Sequence, residues 1–339
     1  MTTSSFADSP AKRLLREQWN TPFLRYLHNN YQIRFRYMGF PGTDLIDVKL
    51  WRDMIEEVIA FELPYPGPDE RKWIRQLRIN LKKLDIPGIA YLGSFEEVVI
   101  LRKDRDGQPY KQDKVITLYN LDFCDEIASL VDTLEFGKQL WRFEALRIIL
   151  EDQKQCYLQA RKPCHFIILL TVRNQIEASQ IRTFLERSLL SETRAYYSTC
   201  EKAKPIPPNG PLIGTHAWSL KAFLYDILRG YFQAPNICTL FFPLVKYIGT
   251  PIRKSRRRLF TSPMLHWMLF CQFGVPENPT PDYYPQGFLY QVTSLAVAKS
   301  GITVTPEPGE IGDLNQVISP VDWFQPFESN FFTDGTTHA

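Results

Sequence analysis

The residues that could do chemistry lie in four short stretches, each placed where an apolar, β-prone run stops. Gly39-Phe40-Pro41-Gly42 follows the alternating run Ile33, Phe35, Tyr37. Glu62 ends Val58-Ile59-Ala60-Phe61, and Gly93-Ser94 follows the short apolar run Ile86–Tyr91. Asn120-Leu121-Asp122-Phe123 closes the β-branched run Lys114–Asp122, KVITLYNLD. Glycine lets a backbone approach a ligand closely, and a helix beginning after the turn offers unpaired N–H groups. A carboxylate at the tip of the following strand can accept both hydroxyls of a ribose. Glu62 stands about as far beyond Gly39 as the acid of the dinucleotide fingerprint stands beyond its first glycine, about 20 residues. That fingerprint reads G-x-G-x-x-G, whereas the turn here reads G-x-x-G, which disfavours NAD. The other reading is an ordinary β-turn-α-β unit with glycines in its loop.

These stretches need elements to hold them. Leu45, Ile46, Leu50, Met54 and Ile55 share one face of a predicted helix, with Thr43 or Asp44 as its N-cap. Pro64-Tyr65-Pro66-Gly67-Pro68 is a breaker. Beyond it, Asp69–Leu84 reads as an amphipathic helix with Trp73, Leu77, Ile79, Leu81 and Leu84 on its apolar side. Arg102–Asp113 reads as a hairpin or exposed loop. A helix is predicted over Gln139–Leu158, then a central strand at the continuous apolar run His165–Val172, then a helix from Ile176 to Leu190. Strand and helix alternating in this way predict an α/β fold built on a doubly wound, mostly parallel sheet. In such sheets ligands bind outside the carboxyl ends of the strands, where the strand order switches. All four chemical stretches fall on that edge.

The order and spacing resemble class I S-adenosylmethionine (SAM) dependent methyltransferases over roughly Ile33–Phe273. The glycine turn followed by an acid is similar to their first motif. A predicted helix at Trp218–Tyr231, then β-rich runs at Ile237–Ile248 and Pro263–Phe273, resembles their antiparallel sixth and seventh strands. The resemblance implies that Gly39, Pro41 and Gly42 hold the methionine part of SAM, Glu62 the ribose and Ser94 the adenine region. Asn120, Asp122 and Phe123 would face the methyl acceptor. Asn120 and Phe123 match the ends of the (Asp/Asn)-Pro-Pro-(Tyr/Phe) motif of amino-methyltransferases acting on nucleic acids, but both prolines are absent. Asp122 can instead serve as a general base towards a hydroxyl, or hold the sulfonium end of the cofactor. Ser94 reads equally well as a helix-capping residue. Cys124 lacks the preceding proline of cytosine-C5 enzymes and reads as a structural thiol.

Composition sets the remaining bounds. The chain has 339 residues, a formal net charge of +3 and 44% hydrophobic residues, enough for a sizeable core and too balanced to imply a polyanion partner overall. No run of about 18 apolar residues occurs, and Met1–Asn20 lacks a secretion signal, so a soluble cytoplasmic protein is expected. Six cysteines without C-x-x-C spacing argue against a zinc site, and no metal-ligand cluster stands out. Arg253, Lys254, Arg256, Arg257 and Arg258 put five cations in six positions, able to bind phosphates of a nucleic acid or another acidic partner, or simply to be solvated. His28, His165 and His266 read as structural, while His216 and Trp218 can line a substrate pocket. Residues 1–31 read as a helical lead-in that can lid the cofactor site. Residues 32–274 form the Rossmann-like domain, and 275–339 a Pro-rich irregular extension, with a helix at Phe288–Lys299, packed on it. The expected function is a SAM-binding methyltransferase-like protein, with nucleic acid as an acceptor class reached through the basic loop. The alternative is a catalytically inactive Rossmann-like subunit that binds nucleic acid or partner proteins in a larger assembly.

Overall fold

The apolar runs of the first half pair side by side as parallel strands. They are β1 (Phe35–Gly39), β2 (Ile55–Glu62), β3 (Gly88–Leu92), β4 (Leu118–Asp122) and β5 (Cys164–Arg173). Three more strands complete the sheet: β6 (Ile237–Phe241), β7 (Val245–Ile248) and β8 (Pro263–Phe273). This computed structural model describes residues 10–123, 130–132, 139–160, 164–173, 175–177, 211–213, 237–242, 245–248, 252–255, 258–260, 263–273 and 319–332. Across the sheet the order is β6-β8-β5-β4-β1-β2-β3, with β7 also on β8. β8 runs antiparallel to β5, β6 and β7, so β6 and β7 run with the parallel set. The chain moves one way from β1 to β2 and β3, and the other way from β4 to β5. The switch in strand order therefore lies between β1 and β4.

Helices cover both faces. The first includes α1 (Pro10–Leu14), a π-helical stretch Leu15–Asn20, α2 (Thr21–Tyr31), α3 (Ile46–Leu50) and α4 (Lys72–Lys83). The second is covered by α5 (Phe95–Leu101) and α6 (Arg142–Ala160). Side chains alternate between the faces as the pleat requires. Tyr37, Val58, Ala60 and Leu118 go to the first core, and Met38, Phe61, Tyr91, Tyr119 and Leu121 to the second. Residues 319–332 pack on the first face. Phe324 of α7 (Pro320–Phe324) lies 5.3 Å from the Phe23 ring, Tyr31 and Phe332 stack at 3.6 Å, and Tyr26 donates to Glu328 at 2.7 Å.

Several elements differ from the sequence expectation for physical reasons. The helix after the glycine turn stops at Leu50. Trp51 is fully buried and donates from Nε1 to Thr21 Oγ1 at 2.8 Å, and Ile55 pairs with Phe35 to open β2. Strand alternation and burial override the helical period over Met54 and Ile55. Neither Thr43 nor Asp44 caps that helix; Leu45 does so with φ 53 and no side-chain hydrogen bond. In α4 the buried residues are Ile74, Leu77 and Leu81, spaced by three and four, while Ile79 is 50% exposed. The predicted helix at Ile176 begins instead in a strand, Gln175–Glu177, paired with Pro211–Ile213. Of the two closing runs only Pro263–Phe273 is reversed. The predicted helices at Trp218–Tyr231 and Phe288–Lys299, with His216 and Cys124, lie outside the described residues. Among the described residues no helix is long and apolar enough to cross a membrane.

Gly39 and Gly42 are glycines for different reasons. A Cβ on Gly39 would lie 2.1 Å from the backbone oxygen of Asn120, on the strand alongside. Gly42 has φ +62 and open space around it. Gly39→Ala is therefore expected to cost about 3 kcal/mol of stability, as forced over-packing does. Gly42→Ala should cost about 1 kcal/mol, the penalty of a left-handed backbone. Urea denaturation of the two variants reads the order, and a Gly39→Ala protein as stable as wild type would contradict the close strand approach.

Candidate functional site

The register at the switch point aligns two acids. Gly39, the last residue of β1, pairs with Ala60 of β2 on one side and Asn120 of β4 on the other. Two residues further on, Glu62 and Asp122 end those strands, on the same face as Ala60 and Asn120. One strand spacing to either side of β1 sets their backbones about 10 Å apart. The loop Phe40-Pro41-Gly42 leaves the sheet between them, with the Phe40 N–H donating to the Asn120 carbonyl at 3.4 Å.

The N-terminal helix lies across this edge. Lys12 Nζ donates to Asp122 Oδ2 at 2.5 Å, and Arg16 pairs with Asp47 in the first turn of α3. Asp47 also accepts from Asn120 Nδ2 at 2.7 Å, and the same nitrogen reaches the Tyr37 hydroxyl at 3.2 Å. Beneath them His266 of β8 is buried: the Thr171 hydroxyl donates to Nδ1 at 2.8 Å, and Nε2–H donates to Asn20 Oδ1 at 3.0 Å. These side chains leave a cleft of about 20 Å³, where one water needs about 10–15 Å³. Burial is the main influence on the ionisable groups. It pushes the Asp47 carboxyl up against the opposing pull of Arg16, and raises Tyr37 well above its ordinary value. It pushes His266 down to about 4, against the pull of Asp122, so the imidazole is neutral near pH 7.

The other expected site residues are distributed as follows. Glu62 is half-buried at the tip of β2, and burial raises its carboxyl to about 7 while the Leu63 backbone N–H works against the shift. No ion pair to it forms among the described residues. Ser94 is the N-cap of α5, in a capping box: its Oγ accepts from the Glu97 N–H at 3.1 Å, and Glu97 Oε2 accepts from the Ser94 N–H at 3.0 Å. Pro41 is buried in the loop. Phe123 falls on the opposite face from Asn120 and Asp122. Its ring packs 5.1 Å from Phe40 and 5.7 Å from Phe95, with the Arg142 guanidinium 4.3 Å above it. Arg253, Lys254 and Arg258 lie on a small hairpin, Ile252–Ser255 with Arg258–Phe260, while Arg256 and Arg257 lie outside the described residues. That hairpin connects the end of β7 to the start of β8, at the same carboxyl edge as Asp122.

Two residues of this edge escaped the sequence reading, and a third, His266, read as structural, is buried as expected but with more polar contact. Asp47 sits on what reads as the outer side of a helix. Lys12 lies 110 residues from its partner. His266 makes two hydrogen bonds to polar side chains, where one was expected of a core histidine. The one available signal was register: His266 pairs with Thr171 across β8 and β5, and two polar residues facing each other inside apolar strands stand out once that pairing is known.

The order β6-β8-β5-β4-β1-β2-β3, with β8 reversed and the switch between β1 and β4, is a class I methyltransferase-like fold. No protein-family model and no curated protein matches the chain. Solved structures do. A candidate RNA methyltransferase of Pyrococcus horikoshii is 10% identical, with 78% of this chain and 91% of that one covered and a TM-score of 0.33. The methyltransferase domain of a bacterial CtHen1 is 11% identical, with 75% and 98% covered and a TM-score of 0.34. Precorrin-6y C5,15-methyltransferase of Geobacter metallireducens is 10% identical, with 79% and 94% covered and a TM-score of 0.29. These likenesses carry no activity across; the fold assignment stands on the strand order and directions.

Half-buried Glu62 and buried His266 give stability opposite dependences on pH. Glu62 holds its proton more tightly folded, about 7 against an ordinary 4.5, so its contribution is lost as pH rises through that window. His266 holds its proton less tightly, about 4 against 6.5, so its contribution is lost as pH falls through that window. Glu62→Gln should therefore gain stability relative to wild type between about pH 5 and about pH 8, measured by urea midpoints. An unchanged difference across that range would place Glu62 in water.

Proposed function

We propose that this chain is a SAM-binding methyltransferase-like protein whose cofactor lies along the carboxyl ends of β1 and β2 and whose acceptor side lies at β4. The observation that carries the reading is Glu62: a desolvated carboxylate without an ion-pair partner among the described residues. It is one strand from the glycine turn and level with Asp122. A half-buried acid in that state is disposed to accept hydrogen bonds from a ligand's hydroxyl pair, which would replace the water it has lost. Gly42, with open space where a Cβ would be, leaves the loop between the two acids accessible to a ligand. The residues thus suit the cofactor that the fold suggests. SAM, when bound, supplies a methyl group already activated on its sulfonium. The work left to the protein is positioning. Glu62 would hold the ribose hydroxyls, the Gly39–Gly42 backbone the methionine part, and Asp122 would hold the acceptor or take its proton. α1 and the π-helical stretch cross this edge, and the cleft beneath them has room for a water or two. Admission of a nucleoside-sized ligand therefore requires Pro10–Asn20 to move.

Isothermal titration with SAM tests the reading. Binding is expected, and Glu62→Ala should weaken it at least tenfold, about 1.4 kcal/mol. Amide exchange over residues 10–20 should change on binding. Absence of binding by the wild-type chain, or binding that Glu62→Ala leaves untouched, would overturn the proposal.

A further inference from the structure

The N-terminal helix that covers the carboxyl edge contains one wide turn. Residues 10–31 are a single run of helix in which Leu15–Asn20 takes the π form. The Thr21 N–H donates to the Arg16 carbonyl, five residues back, where an α-helix uses the carbonyl four back. The wide turn decides which side chains meet the acids. Lys12, Arg16 and Asn20, four residues apart each time, all line the cleft. On an unbroken α-helix the path from Lys12 to Asn20 overshoots two full turns by about 80°. The π stretch absorbs that excess, so the helix holds one residue more than this alignment needs. Its two ends are held differently. Thr21 Oγ1 donates to the Arg16 carbonyl at 2.6 Å and accepts from Trp51, and His266 Nε2–H donates to Asn20. Trp19, Phe23 and Leu24 are buried beside them. Before the stretch, Lys12 and Arg16 are held by Asp122 and Asp47, with Leu15 buried and Ala11 and Leu14 partly so. The wide turn also carries a cost: Trp19 Nε1 is buried without a hydrogen-bond partner among the described residues.

We propose that the wide turn is the switch that opens the edge: the π stretch tightens into regular α-helix, and the residues before it rotate about the helix axis. Thr21 and α2 stay in place. The rotation, about 80° at Lys12, carries Lys12 and Arg16 together off Asp122 and Asp47. One state has the wide turn and both ion pairs; the other has regular helical hydrogen bonds and neither pair. A ligand that fills the edge binds the second state alone and draws the chain into it. That the ligand is SAM rests on the reading above; the two-state turn does not.

Deletion of Gln18, an exposed residue of the π stretch, tests the switch in the full-length protein. With one residue fewer, Lys12 and Asn20 come within about 20° of one another on a plain α-helix. The cover then keeps both ion pairs and has no wide turn to tighten. This variant should melt no lower than wild type. Deletion of Arg25, an exposed residue of α2, removes a residue that the register does need and should lower the melting temperature by several degrees. Amide exchange over residues 15–21 should slow in the Gln18 deletion, because these N–H groups no longer change partners. Its affinity for SAM should fall about tenfold or more, and adding Lys12→Met with Arg16→Met, which removes the holding charges, should restore it. A melting temperature that drops as far as in the Arg25 deletion overturns the switch. So does exchange equal to wild type, or SAM affinity that is undiminished by the deletion or unrestored by the charge removal. If wild type binds no SAM, the cofactor reading falls, and melting and exchange decide the switch on their own.

Discussion

The close approach of β1 to β4 at Gly39 is the contact on which the rest depends. No side chain fits there, because the Asn120 carbonyl lies where a Cβ would be. That one missing methyl lets the two strands pair in register up to their carboxyl ends, and the register decides what those ends display. With Gly39 level with Ala60 and Asn120, the acids two residues on come out level with one another on one face. Shift either pairing by one residue and Glu62 or Asp122 would turn to the face of α5 and α6, into the aromatic packing around Phe61 and Phe123. The constraint is backbone-deep, and the chemistry at the edge inherits its geometry.

Electrostatics explains why the edge is closed in the free chain. Asp47 and Asp122 stand in one cleft, beside a neutral imidazole and a buried tyrosine, with little water to screen them. Carboxylates so placed need cations, and the N-terminal helix brings Lys12 and Arg16 one turn apart to meet them. The helix is also held by apolar contacts: Trp19, Phe23 and Leu27 are buried in the core on that face. Its covering role is therefore built from two kinds of interaction. The ion pairs fix Lys12 and Arg16 over the two acids, while the apolar contacts from α2 hold the segment on the sheet face. Glu62 has no ion-pair partner among the described residues, so nothing there offsets the burial that raises its proton affinity.

Much of the frame was legible in the sequence because it depends on local pattern. Apolar alternation marked the strands, and strand ends marked the edge, so the sequence places Gly39, Glu62, Asn120 and Asp122 at the strand ends where they stand. Ser94 with Glu97 three residues on spells a capping box, and the local bonds follow from that spacing. The failures share a cause. The helix expected through Ile55 was cut short by burial of Trp51 against Thr21, a contact across 30 residues. Phe123 was read with Asp122 as one motif, yet neighbouring residues at a strand end face opposite ways. Lys12 with Asp122, and His266 with Thr171 and Asn20, are encounters between distant segments that no window of sequence contains. The frame was readable, and the polar wiring of the site was not.

The central claim is that the carboxyl edge between β2 and β4 receives a nucleoside cofactor. A crystal structure of the chain with S-adenosylhomocysteine tests it most directly. The expected result has the ribose hydroxyls on the Glu62 carboxylate, the amino-acid end against Gly39–Gly42, and Pro10–Asn20 displaced from its present place. A ligand bound at any other face, or an edge still closed by Lys12 and Arg16 with the ligand in the crystal, would contradict it.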